Sequence, residues 1–162
     1  MERIEQDVKK WEFSYNIVVR VIIPRQLMQL TIKNDGGQSV LILDIIKQED
    51  AEEWLYANVK FKYKNFSANF TICFMLNDLY PFRDELVKLH SFLIGTANLN
   101  TIEDNINLKF TGDGLGHITV NGILRHASDC DLQLHFEIDS DQTFLTSLLN
   151  ECNEIIEKRG SE

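Results

Sequence analysis

Three histidines, His117, His126 and His135, recur at nine-residue intervals, and imidazole is both a common metal ligand and a common acid–base group. Three donors make a metal centre only if they converge, and strand spacing sets His117 and His135 at different heights on a sheet, so solvated sheet-face histidines are the reading. The stretch 110–117 places glycine at 112, 114 and 116. Glycine-rich turns cradle phosphate where they open a helix, but this run lies between two strand patterns, where a turn or bulge with positive φ accounts for it. Asp44, Glu49, Asp50, Glu52 and Glu53 form an acidic group without the fixed spacing of a calcium loop, and read as a solvated loop. Cys73, Cys130 and Cys152 are odd in number and unpaired in spacing; no serine or cysteine sits in a nucleophile elbow. No catalytic residue, metal or cofactor is assigned, and the chain reads as a non-enzymatic binding protein. The alternative is a small-ligand-binding or enzymatic domain with a pocket between sheet and helices, lined by His117 and His135.

The elements that must position these residues are mostly strands. Phe13, Tyr15, Ile17, Val19, Val21 and Ile23 share one parity and Pro24 ends the run, so residues 1–27 read as an N-terminal strand or extension. Residues 28–162 then form one α+β domain. Strands are expected at 28–33, 40–46, 55–63 and 66–74, the last two joined near Lys64-Asn65, and again around 106–110. Phe82, Leu86, Leu89 and Leu93 form an apolar stripe on a helix over about 77–94, with Asn77 or Asp78 as cap and Gly95 as stop. Residues 96–101 read as a polar loop. In the late hairpin, pairing 124 with 132 through 118 with 138 puts Ile118, Val120, Gly122 and Leu124 on one face with Leu132, Leu134, Phe136 and Ile138. That register sets Arg125 across from Asp131, Asn121 across from His135 and His117 across from Asp139. A second helix over about 140–158, capped by Ser140 or Asp141, carries Leu145, Leu148, Leu149, Cys152, Ile155 and Ile156 on one inward stripe. The fold expected is an antiparallel β-sheet or β-sandwich of about eight strands with two amphipathic helices, and no internal repeat of fixed period is apparent.

Acidic residues outnumber basic ones 25 to 16 in 162 residues, a net charge of −9, so the summed field repels a phosphate backbone and favours a basic protein partner over nucleic acid. The start at Met1 lacks a basic segment followed by an apolar core, and no run approaches the roughly twenty apolar residues of a membrane span. A cytoplasmic chain with no membrane partner is expected, its oligomeric state open.

Four segments carry a family resemblance: 50–55, Asp-Ala-Glu-Glu-Trp-Leu; 79–86, Leu-Tyr-Pro-Phe-Arg-Asp-Glu-Leu; 112–120, from Gly112 to Val120; and 132–138 followed by 141–145, Asp-Gln-Thr-Phe-Leu. Across about residues 28–158 the chain resembles bacterial immunity proteins of the WapI-like type, which sit beside polymorphic toxin genes and protect the cell from its own toxin. The resemblance implies neutralisation of a cognate toxin by protein–protein binding. An acidic surface suits a toxin with a basic cleft, and Glu49, Asp50, Glu52 and Glu53 with the aromatics Trp54 and Tyr56 are the expected contacts.

Overall fold

A computed structural model describes residues 28–49, 53–126 and 132–158, with backbone alone for 47–49. Strands β1 (Gln29–Lys33), β2 (Ser39–Glu49), β3 (Trp54–Tyr63) and β4 (Phe66–Met75) form one antiparallel sheet in chain order, and a 3-10 turn at Leu76–Asp78 leads into helix α1 (Leu79–Phe92). Strands β5 (Ile94–Asn100), β6 (Ile106–Asp113), β7 (His117–Arg125) and β8 (Gln133–Asp141) form a second sheet of the same kind, followed by helix α2 (Thr143–Glu157). Among the described residues there are eight antiparallel strands and two α-helices, matching the fold class expected. The expected strand at 13–23 lies outside the described residues. Strand β5 stands where a polar loop was expected: only Ala97 and Leu99 point inward and are buried, so an edge strand with polar outer residues looks like a loop.

Alternation builds the core. Leu55, Ala57, Val59 and Phe61 from β3, Leu79, Phe82, Leu86 and Leu89 from α1, and Leu145, Leu148, Cys152 and Ile155 from α2 belong to one buried cluster. Each fully buried leucine of this kind is worth about 1.5–3 kcal/mol. Helix α1 stops earlier than Gly95 predicts. Leu93 takes the left-handed conformation (φ 58°) and its N–H donates to the Leu89 carbonyl at 2.8 Å, while Gly95 lies inside β5. Ser140 is not a cap; its hydroxyl donates to the Lys33 carbonyl at 2.7 Å, and the Asp141 carboxylate accepts the first helical N–H of α2, that of Thr143, at 2.8 Å.

The late hairpin is paired two residues away from the expected register: Leu124 faces Leu134 and Ile118 faces Ser140. A slip of two keeps every side chain on its face, so hydrophobic parity cannot distinguish the registers. Shape does. Gly122 sits opposite Phe136, whose ring occupies the space a Cβ would need, with Phe136 Cζ only 2.1 Å from that position. The polar pairs change accordingly to Asn121–Glu137, Arg125–Gln133 and His117–Asp141; Arg125 also forms an ion pair with Asp104.

Four strands and a helix occur twice, a repeat no residue period betrays, and each half finishes the other. The N–H of Thr31 on edge strand β1 donates to Glu151 of α2 at 2.7 Å, and the N–H of Asn98 on edge strand β5 donates to Glu85 of α1 at 2.8 Å. At the opposite edges, Asn105 from the β5–β6 turn donates to the Cys73 carbonyl of β4 at 2.7 Å. The N–H of Asp35, from the β1–β2 turn, donates to the Asp139 carbonyl of β8 at 2.9 Å.

Candidate functional site

The acidic-aromatic segment falls at the β2–β3 turn. Glu49 ends β2 opposite Trp54, the first residue of β3; Asp50 and Glu52 lie outside the described residues. Glu53 is left-handed (φ 61°), and its carbonyl accepts the Leu76 N–H at 2.9 Å, which ties the turn to the start of the first helical segment. Leu55 and Ala57 point into the core with no exposed surface, so the intervening Trp54 and Tyr56 point outward. Trp54 lies beside Met75 and Tyr56 beside Cys73 on the outer face of the first sheet. The structure therefore brings Glu53, Trp54 and Tyr56 together at one end of that face. Asp44 lies further along it, paired with Lys60 at 3.2 Å, and is not part of the turn.

Tyr56, Thr71, Cys73, Glu103, Asn105 and His126 line a hollow of about 320 Å³ on this face. Glu103 comes from the β5–β6 turn of the other half and adds a carboxylate that spacing along the chain did not suggest. Burial first, and then the Glu103 charge, push the Cys73 thiol up, so it stays protonated at neutral pH and is a poor nucleophile.

The three histidines occupy separate surroundings. His117 stands opposite Asp141 at the start of β7, His126 meets the Phe70 ring edge-on at 5.7 Å, and His135 faces Ile123, its Nε2 3.0 Å from Gln133 Oε1. Among the described residues no three His, Cys, Asp or Glu side chains gather as a metal site. In the glycine run, Gly114 (φ 83°) and Gly116 (φ 104°) are left-handed, while Gly112 is needed for a close approach: a Cβ there would lie 2.4 Å from the Leu93 carbonyl oxygen. Three of the N–H groups of this turn have acceptors inside the protein. Asp113 accepts those of Leu115 (2.6 Å) and His117 (3.2 Å), and Leu93 accepts that of Gly114 (2.7 Å). Three N–H groups that a phosphate cradle would use are therefore engaged within the turn itself. The Leu115 N–H above all holds the Asp113 carboxyl below its ordinary value.

An open cleft of about 560 Å³ runs over the outer face of the second sheet. Cross-strand rows floor it: Asn98, Lys109, Asn121 and Glu137 in one, Asn100, Asn107, Ile123 and His135 in the next. Only register reveals such a face. His135 lines this cleft and His117 does not, and the space between sheets and helices, where a pocket was the alternative expectation, is filled by core side chains. Three of the asparagines are already engaged, Asn121 with Glu137 at 2.6 Å, Asn98 with Glu85 at 2.9 Å and Asn107 with Asp104 at 2.6 Å. No helix among the described residues is long and apolar enough to cross a membrane.

Comparison with known proteins adds one substantial match: a model of the Immunity protein WapI-like family fits residues 30–160. No curated protein matches the chain. Two solved structures align over 84% of it: MRP1/MRP2 of Trypanosoma brucei, at 9% identity over 86% of that chain with a TM-score of 0.48, and a guide-RNA-binding protein complex bound to a gRNA, at 10% identity over 92% of that chain with a TM-score of 0.49. Likenesses that distant carry nothing over to this chain.

Proposed function

Because the chain belongs to the WapI-like immunity protein family over residues 30–160, we propose that it neutralises a cognate toxin in the cytoplasm by binding it and occluding a basic active-site cleft. The contact is made by Glu49, Asp50, Glu52 and Glu53 of the β2–β3 turn with Trp54 and Tyr56 beside them. The observation that supports this most is the outward parity of the two aromatics next to an acidic turn. Tryptophan and tyrosine supply large contact area at little entropic cost, and a carboxylate rim steers the encounter with a positive cleft. A net charge of −9 works in the same direction. The role needs no chemistry from this chain, because a bound protein blocks a cleft by its volume.

The test pairs the purified chain with the toxin domain encoded beside its gene. Trp54→Ala should cost about 2 kcal/mol or more, roughly 30-fold in Kd, and Glu53→Lys should slow association and weaken its dependence on salt. In cells expressing the toxin, the double variant should lose protection. Full protection together with an unchanged Kd in that variant removes the proposed contact face. A gene neighbourhood with no toxin, and no binding to any toxin domain of the same genome, removes the function itself.

A further inference from the structure

Three large exposed apolar side chains lie where α1 runs into β5 beside the β6–β7 turn: Phe92 is 70% exposed, Ile94 65% and Leu115 84%. Their segments adjoin. Ile94 pairs with Asp113 across the strands, and its side chain lies within 4 Å of where a Cβ on Gly114 would stand, one residue before Leu115. This end is held firmly. Leu93, left-handed between Phe92 and Ile94, is bound through its carbonyl to the Gly114 N–H, and Asp113 accepts the N–H groups of Leu115 and His117. A turn fixed in advance presents Leu115 to solvent with little left to order on binding, which favours affinity.

The surroundings say what would cover it. Segments 92–96, 111–119 and 139–141 contain Asp113 opposite Ile94, Asp141 opposite His117, Asp139 opposite Thr119 and one histidine, with no lysine or arginine; Lys88, one helical turn before Phe92 on α1, is set against these three carboxylates. An apolar centre with a carboxylate rim has the anatomy of a protein interface, and its complement is an apolar patch rimmed by lysine or arginine. A second copy of this chain would bring the same carboxylates face to face and meet a molecule of like net charge. The backbone adds a parallel: the Gly116 carbonyl accepts the Gln142 N–H at 3.0 Å, as the Glu53 carbonyl accepts that of Leu76, so the β6–β7 turn is the counterpart in the second half of the β2–β3 turn in the first.

We propose that Phe92, Ile94 and Leu115, rimmed by Asp113, Asp139 and Asp141, form a second docking surface for a basic protein surface of the same toxin. This deepens the toxin-binding reading and rests on it. The experiment is isothermal titration of the full chain with the toxin domain encoded beside its gene, comparing wild type, Leu115→Asp, Ile94→Ser and Trp54→Ala, with thermal melts as a check on folding and light scattering for oligomeric state. Because Leu115 and Ile94 are largely exposed, both variants should melt as wild type does. The expected result is at least ten-fold weaker binding for Leu115→Asp and a measurable loss for Ile94→Ser. Toxin binding unchanged in both, with Trp54→Ala impaired, overturns this surface and leaves the toxin-binding reading standing. Failure of the wild-type chain to bind overturns both. A dimer of the free chain that Leu115→Asp dissolves also overturns the proposal, because the patch then belongs to a second copy.

Discussion

Replacing Gly112 with alanine tests the joint on which the second half hangs. The new Cβ would sit 2.4 Å from the Leu93 carbonyl oxygen and 2.9 Å from Leu89 Cδ1, whereas a tolerable C···O contact is about 3.3 Å. The carbonyl must therefore retreat by about 0.9 Å. It cannot do so freely, because it accepts the Gly114 N–H at 2.7 Å and belongs to a residue already left-handed. Overpacking of this kind costs about 1–3 kcal/mol, and weakening the hydrogen bond adds about 1 kcal/mol. The stiffer unfolded chain of an alanine variant returns about 0.4–1 kcal/mol. The net expectation is a loss of about 1–3.6 kcal/mol, roughly 2–14 °C in Tm for a chain of this length. Urea unfolding followed by tryptophan fluorescence reads it as a lower midpoint at unchanged slope. Gly36→Ala is the control: its nearest neighbour is 3.5 Å away and its φ is ordinary, so it should stay within about 0.5 kcal/mol of wild type. A Gly112→Ala protein as stable as the Gly36→Ala protein would show that the glycine run has no packing role, and with it would go the account of how Phe92, Ile94 and Leu115 are held.

Two further predictions concern register and pH. Gly122→Ala should cost about 1–3 kcal/mol, and Phe136→Leu should relieve part of that cost, giving a coupling of at least about 0.5 kcal/mol in a double-mutant cycle; independent effects would restore the alternative register, in which 122 faces 134. Burial, outweighing the hydrogen bond from Thr31, raises the pKa of Glu151. A carboxyl raised in the folded state contributes stability below its unfolded value, about 4.3, and loses it as pH climbs through the folded value. Glu151→Gln should therefore gain on wild type as pH rises from about 4.3 through that window, and parallel pH curves of the urea midpoint for the two proteins would refute the assignment.

Legibility followed the number of apolar residues that each decision had to place. Helix α1 was evident because Phe82, Leu86 and Leu89 make a stripe, and all three are buried; its last turn was not, because Leu93 continues the stripe while adopting a conformation that glycine usually supplies. Strand β5 offered only Ala97 and Leu99 to an inward face. The hairpin register turned on one steric fact, a phenylalanine ring above a glycine, that parity cannot express. At the β2–β3 end, Trp54-Leu55-Tyr56-Ala57 presents apolar groups on both parities, so alternation alone left the direction of the tryptophan open, and burial of Leu55 and Ala57 decides it. The repeat escaped notice because equivalent places are filled by function rather than identity: Asn105 seals one edge with a side-chain amide, and Asp35 seals the matching edge with a backbone N–H.

That sealing bears on how the molecule can meet a partner. An open sheet edge invites another strand, and proteins that stay apart block or cover it. Among the described residues, each of the four edge strands carries a contact from the opposite half, at Thr31, Cys73, Asn98 and Asp139. Adding a strand at β1 or β5 would first have to displace a glutamate, leaving that carboxylate without its hydrogen-bond partner and, for Glu151, partly buried, a cost charged against any affinity gained. The surfaces left without such a penalty are the outer sheet faces and the turns. The β2–β3 and β6–β7 turns combine carboxylates with exposed or half-exposed apolar side chains, and the same backbone bond anchors each to the chain that follows its sheet. A fold that closes its edges by exchange between halves and offers its paired turns to solvent is suited to recognition by side chains, in which partner specificity changes by substituting a few turn residues while the core stays as it is.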